Sequence, residues 1–183
     1  MVKFNSSGLR QWGTFYGDSG TDYGLACATD ASGNVYMAGQ SSSSTVASIS
    51  SSGSHQSNFG GGQFDAFLVK FNSAGIRQWG TYYGGSGDDY RSSCFTDASG
   101  NVYMGGRTSS STGTIIATLG SYQSASGGGY DAFLVKFNSA GIRQWGTYYG
   151  GTSSDGGSSC ATDTSGKVYI VGESSSWNGI ASS

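Results

Sequence analysis

Lys3-Phe4-Asn5-Ser6-Ser7-Gly8-Leu9-Arg10-Gln11-Trp12-Gly13-Thr14 returns, nearly letter for letter, as residues 70–81 and again as 136–147. Trp12, Trp79 and Trp145 set the period at 67 and then 66 residues, and Cys27, Cys94 and Cys160 keep it. Asp65–Gly85 and Asp131–Gly151 are identical throughout. A period of this length marks a repeat architecture, in which each unit buries its apolar surface against its neighbours.

Working outward from that segment, one repeat reads as four short strands, A to D. Tyr90–Thr96 is strand A, and Asp97-Ala98-Ser99-Gly100-Asn101 is a tight turn. Val102–Gly105 is strand B, β-branched and aromatic. A Ser/Gly stretch runs from Thr108 to Gly129. Ala132–Phe137 is strand C, with Phe133, Val135 and Phe137 on one face at period two. Asn138–Gly141 turns the chain into strand D, Ile142–Tyr149. Helical signal is almost absent, so the class is all-β. Four antiparallel strands per repeat is the unit of a β-propeller blade.

The segments DAFLVKFNSAG (131–141), QWGTYYGG (144–151), DDY (88–90) and TDASGNVYMGG (96–106) resemble the bacterial SBBP repeat, the seven-bladed β-propeller repeat family. The resemblance covers nearly the whole chain. It implies a propeller fold in bacterial proteins that are often secreted or on the cell surface, and it implies no shared catalytic activity.

The phase of the repeat adds an expectation about assembly. Residues 1–17 read as a C-D hairpin, 18–84 and 85–150 as full A-B-C-D repeats, and 151–183 as an A-B hairpin. Three blades' worth of strands is too few for a closed ring, since propellers have four to eight. The C-D hairpin of one chain is therefore expected to complete the A-B hairpin of a second, in a head-to-tail contact that closes by rotation. Two chains give six blades, and a homodimer is the expected partner state. The alternative is a piece of a larger bacterial surface propeller.

Composition narrows the function. Gly is 33 of 183 residues, about 18% against a usual ~7%. Twelve Tyr among 14% aromatic residues nevertheless supply a core that disordered chains lack. A net charge of −2 offers no basic face for nucleic acid. No apolar run reaches the ~18 residues of a membrane-spanning helix, and Met1-Val2-Lys3-Phe4 does not begin a signal peptide. Low charge with abundant Ser, Thr, Gly and Asn fits an extracellular or bacterial surface setting for the parent protein.

Candidate chemistry is sparse. The three Cys lie one per repeat, far from compact zinc spacing, and read as small buried hydrophobes. Asp30, Asp97 and Asp163 open the A–B turns without a calcium-loop pattern and read as Asx-turn acceptors. Asp22, Asp89 and Asp155 before strand A, and Asp65 and Asp131 before strand C, read as further acceptors. His55 aligns with Tyr122, which argues against a catalytic base. Gly60–Gly62 and Gly127–Gly129 precede strands and lack the Lys-Ser/Thr tail of a phosphate loop. The candidate ligand-binding residues are the pairs Arg10 and Trp12, Arg77 and Trp79, Arg143 and Trp145. At a spacing of two they are expected on one face of strand D, as an aromatic platform with a forked donor or as cation–π packing. No catalytic residue, metal ligand or cofactor is assigned. The expected role is non-enzymatic, structural or interaction-based, with a lectin-like glycan-binding or protein-binding module as the alternative.

Overall fold

In the computed structural model, residues 1–44, 48–111 and 115–180 are described. Parts of the expected Ser/Gly stretch 108–129 and of the 151–183 hairpin segment lie outside the described residues. Twelve strands and no helix make up the described chain. They are β1 (Val2–Phe4), β2 (Arg10–Gly13), β3 (Asp22–Thr29), β4 (Val35–Ser41), β5 (Asp65–Phe71), β6 (Arg77–Tyr83), β7 (Asp89–Thr96), β8 (Val102–Thr108), β9 (Asp131–Phe137), β10 (Arg143–Tyr149), β11 (Asp155–Thr162) and β12 (Val168–Ser174). They form a two-stranded sheet β1-β2, four-stranded sheets β3-β4-β5-β6 and β7-β8-β9-β10, and a two-stranded sheet β11-β12. Every pairing is antiparallel between chain neighbours. The terminal half-sheets do not pair with one another, so the array is open. Strand β8 runs three residues past the expected end of strand B, because Gly106, Arg107 and Thr108 pair with Phe133, Ala132 and Asp131.

The period-two pattern explains the stacking. In β4 and β5, Tyr36, Ala38, Ala66 and Leu68 point to one side. There they pack with Val102, Met104, Phe133, Val135 and Phe137 of β8 and β9. The alternate residues Met37, Phe67, Val69 and Phe71 point to the other side, toward Met1 and Tyr16. Each complete sheet is thus apolar on both faces, as sheets sandwiched between layers must be. In the last two sheets the first strand lies against the preceding sheet, β7 on β3 and β4, and β11 on β7 and β8.

Tyrosines at the end of the fourth strand hold the long loops. The Tyr148 hydroxyl donates to the Ser110 carbonyl at 2.8 Å within its own repeat. The Tyr83 hydroxyl donates at 2.5 Å to the carbonyl of Ile116 in the next repeat. Tyr16 reaches Ile49 and Tyr149 reaches Ile180 in the same way. These bonds satisfy carbonyls of loops that anchor the buried Ile49 and Ile116 in the core.

A second device links the sheets at the turns between their third and fourth strands. The Trp79 indole N–H donates to the Ser139 carbonyl at 3.1 Å, and the Lys70 ammonium donates to the same oxygen at 3.0 Å. Trp12 and Lys3 repeat the arrangement on Ser73, both at 3.1 Å. The ring lies flat over a glycine: a Cβ on Gly141, at φ +81°, would stand 2.8 Å from the Trp79 ring. Gly100 has a similar φ of +77°, yet the nearest atom to its Cβ position is 3.9 Å away. Gly100→Ala should therefore cost about 1 kcal/mol of backbone strain. Gly141→Ala should cost at least about 2 kcal/mol, because the indole must also move. Urea denaturation of the two variants checks the difference, and equal costs would show that the indole seat contributes nothing.

Candidate functional site

The Arg–Trp pairs are not platforms on one face. A bulge at Gln78 sets Arg77 opposite Phe71 and Trp79 opposite Lys70, which are adjacent residues of β5. Adjacent strand residues point to opposite faces, so the bulge sends Arg77 and Trp79 to opposite sides of the sheet. The same shift occurs between Arg143 and Trp145, and between Arg10 and Trp12. Trp79 packs edge-on against Tyr36, with Lys70 above the same ring. Arg77 lies over the Tyr16 ring on the other side. It donates to the carbonyls of Ser48, Ile49 and Ser50 and fixes its own repeat's long loop. Arg143 donates to the Ile115 carbonyl at 2.5 Å. Arg10 is exposed.

The structure instead joins Trp and Arg from successive repeats. Trp79 of β6 and Arg143 of β10 line one inter-repeat cleft of about 340 Å³, together with Ser54, His55 and Gly141. His55 lies tilted against Tyr83 and edge-on to Phe137, with ring centroids 5.8 Å apart in both pairs. Burial, and then the Arg143 charge, push its pKa down to about 4, so it is neutral at neutral pH. Among the described residues the Ser54 hydroxyl and His55 Nε2 each lack a hydrogen-bond partner, so they do not make a nucleophile–base contact with one another. A second cleft, around Trp145 and Tyr122, is the copy of the first without the following turn. Trp12 is docked on the next repeat as Trp79 is, but lines neither cleft.

The aspartates are clamps. Asp30 accepts from the amides of Ser32 and Asn34, both at 3.0 Å, and Asp97 and Asp163 do likewise in their turns. Asp155 accepts from Gly151 N, Ser174 Oγ and Ser176 Oγ, tying strand β11 to the end of β12. Asp89 makes the matching bonds to Gly85 N and Ser110 Oγ. Asp65 and Asp131 hold Gly60 N and Gly127 N, each at 2.6 Å. Among the described residues no group of three or more His, Cys, Asp or Glu side chains is placed to hold a metal.

The thiols differ although their sequence positions match. Cys160 is buried, Cys94 half-buried and Cys27 exposed. Burial pushes the Cys94 thiol up to about 12. A polar link joins residues that no repeat copy shares. Glu173 takes Arg91 at 2.6 Å and Arg107 at 3.6 Å, joining the third and fourth sheets. These residues are departures from the repeat, which is the signal that marks them. No family model matches the chain, and no curated protein matches it.

Buried carboxylates set an expected pH dependence. Burial, followed by the neighbouring Asp89 charge, pushes Asp65 up to about 8, and burial pushes Asp89 up to about 6. Both ordinarily titrate at 3.8. The folded state therefore holds protons that the unfolded chain releases. This contribution to stability is complete below about pH 4 and is lost as pH rises toward 8. Asp65→Asn should flatten that decline while keeping an acceptor for Gly60 N. Urea midpoints at pH 5 and pH 8 check it, and an unchanged slope in the variant would assign the decline elsewhere.

Proposed function

We propose that the chain is a non-enzymatic β-propeller repeat module with a structural or interaction role, akin to the SBBP repeat. On this reading the four-stranded sheets are blades. The half-sheets at the two ends complete one blade between chains, and two chains close a six-bladed ring.

One observation carries the reading. Residues buried in the complete sheets are half-exposed in the half-sheets. Tyr169 is 53% exposed and Val171 63%, whereas their copies Tyr36 and Ala38 are fully buried. Val2 is 50% exposed and Phe4 58%, whereas Val69, Val135 and Phe137 are fully buried. β1 and β12 also carry unpaired edges, which invite strand addition. Covering such faces and edges together makes a large, obligate type of interface.

The chemistry-bearing side chains support a structural role. Trp79, Lys70, Arg77 and Asp89 are each engaged in holding turns and loops. A lectin-like reading draws support from the cleft where Trp79 and Arg143 converge. It requires glycan binding with a stoichiometry that follows the number of repeats.

Sedimentation or light scattering tests the assembly. The expected particle has twice the 18.7 kDa of one chain. A stable monomer overturns the two-chain ring, and a three-chain mass overturns six-bladed closure.

A further inference from the structure

The latch between sheets occurs twice within the chain, and a third donor pair and a third acceptor turn remain unmatched, the Lys136 ammonium of that pair lying 4.0 Å from Asp97 Oδ2. Trp12 with Lys3 grips Ser73, and Trp79 with Lys70 grips Ser139. The third donor pair is Trp145 with Lys136. Lys136 lies over the Tyr103 ring, as Lys70 lies over Tyr36, and Trp145 packs on Tyr103 as Trp79 packs on Tyr36. Among the described residues the Trp145 indole N–H meets no acceptor. The third acceptor turn is Asn5–Leu9. Its fold matches the other two, with Asn5 Oδ1 accepting from Ser7 N and Leu9 N as Asn72 Oδ1 accepts from Ala74 N and Ile76 N. Ser6 and Gly8 stand where Ser139 and Gly141 stand, and a Cβ at Gly8 would meet open space where the other two meet an indole.

We propose that a second copy of this chain supplies the missing half in one fixed register. The Trp145 indole and Lys136 ammonium of one copy donate to the Ser6 carbonyl of the other, with the ring over Gly8. This rests on the two-chain reading above and specifies its seam. The same repeat arithmetic fixes the strands. Val35, Tyr36 and Met37 pair with Phe71, Lys70 and Val69, and β8 pairs with β9 in the same way. Across the seam, Val168, Tyr169 and Ile170 of one copy therefore stand opposite Phe4, Lys3 and Val2 of the other.

The remaining surface agrees with this register. An open groove of about 480 Å³ runs between Val2, Tyr16, Gly24, Leu25, Cys27 and Met37. Inside the chain the matching surface of β7 and β8 is filled by Tyr36 and Ala38 of the preceding sheet. There the Cys94 thiol faces the Tyr36 carbonyl at 3.9 Å. Tyr169 and Val171 of the second copy fill the groove in the same way and cover Cys27, the exposed copy of Cys94. The seam also adds the following turn to the half-cleft around Trp145 and Tyr122, giving it the form of the Trp79 cleft.

The test combines solution mass with thiol labelling of the unaltered chain and of Trp145→Ala. At concentrations where two chains associate, Cys27 should label at least about tenfold more slowly than in the diluted chain, since a covered thiol reacts only on opening. Trp145→Ala should raise the dimer Kd at least about tenfold, as loss of a buried interface indole does. A dimer in which Cys27 labels at the diluted rate overturns this register and leaves the two-chain reading standing. So does an unchanged Kd in a folded Trp145→Ala chain. A chain that stays monomeric at all concentrations overturns the two-chain reading itself.

Discussion

The structure depends on covering sheets that are apolar on both faces. Alternation along β4 and β5 sends Tyr36, Ala38, Ala66 and Leu68 one way, and Met37, Phe67, Val69 and Phe71 the other. Water on either side would meet a continuous apolar surface, so a single repeat has no stable existence alone. Stacking solves this for one pair of sheets and passes the demand on to the next. The open ends of the array are the places where the demand is unmet, and Tyr169, Val171, Val2 and Phe4 record it as exposed surface.

Burial alone does not fix how far one sheet turns on the next. Directional bonds do that at several points along each junction. Trp79 and Lys70 share the Ser139 carbonyl in the β9–β10 turn, and the Tyr83 hydroxyl grips Ile116 in the following loop. Glu173 ties Arg91 and Arg107 on the third sheet to the fourth. Such bonds carry little net energy each, but they leave few alternative registers for otherwise uniform apolar faces. The low charge of the chain follows from this economy of polar groups. Its aspartates are spent on amides and hydroxyls of neighbouring turns.

The same economy shapes the site. One cleft lies where Trp79 of one repeat meets Arg143 of the next, so that cleft belongs to their junction. Differences between junctions come from residues that break the repeat. His55 stands in one cleft where Tyr122 stands in its copy, and each packs at a tilt against the tyrosine that ends its own fourth strand. Variation of this kind changes cleft chemistry without touching the frame.

Much of the fold was legible in the sequence, and for local reasons. The 67- and 66-residue periods, the turns at Asp97–Asn101 and Asn138–Gly141, and the alternation in Ala132–Phe137 depend on neighbours in the chain. Strand number, strand order and antiparallel class follow from them. The Asx geometry of Asp30, Asp97 and Asp163 was readable for the same reason. What the tertiary structure alone decided is which face and which neighbour each side chain meets. A bulge at Gln78 is invisible to residue counting, yet it separates Arg77 from Trp79 and gives Trp79 to the next repeat. Cys27, at the same repeat position as Cys94 and Cys160, is the exposed one, because a four-stranded sheet precedes each of the other two and none precedes its own. Sequence repetition specifies equal strands, while stacking in a finite array makes their environments unequal.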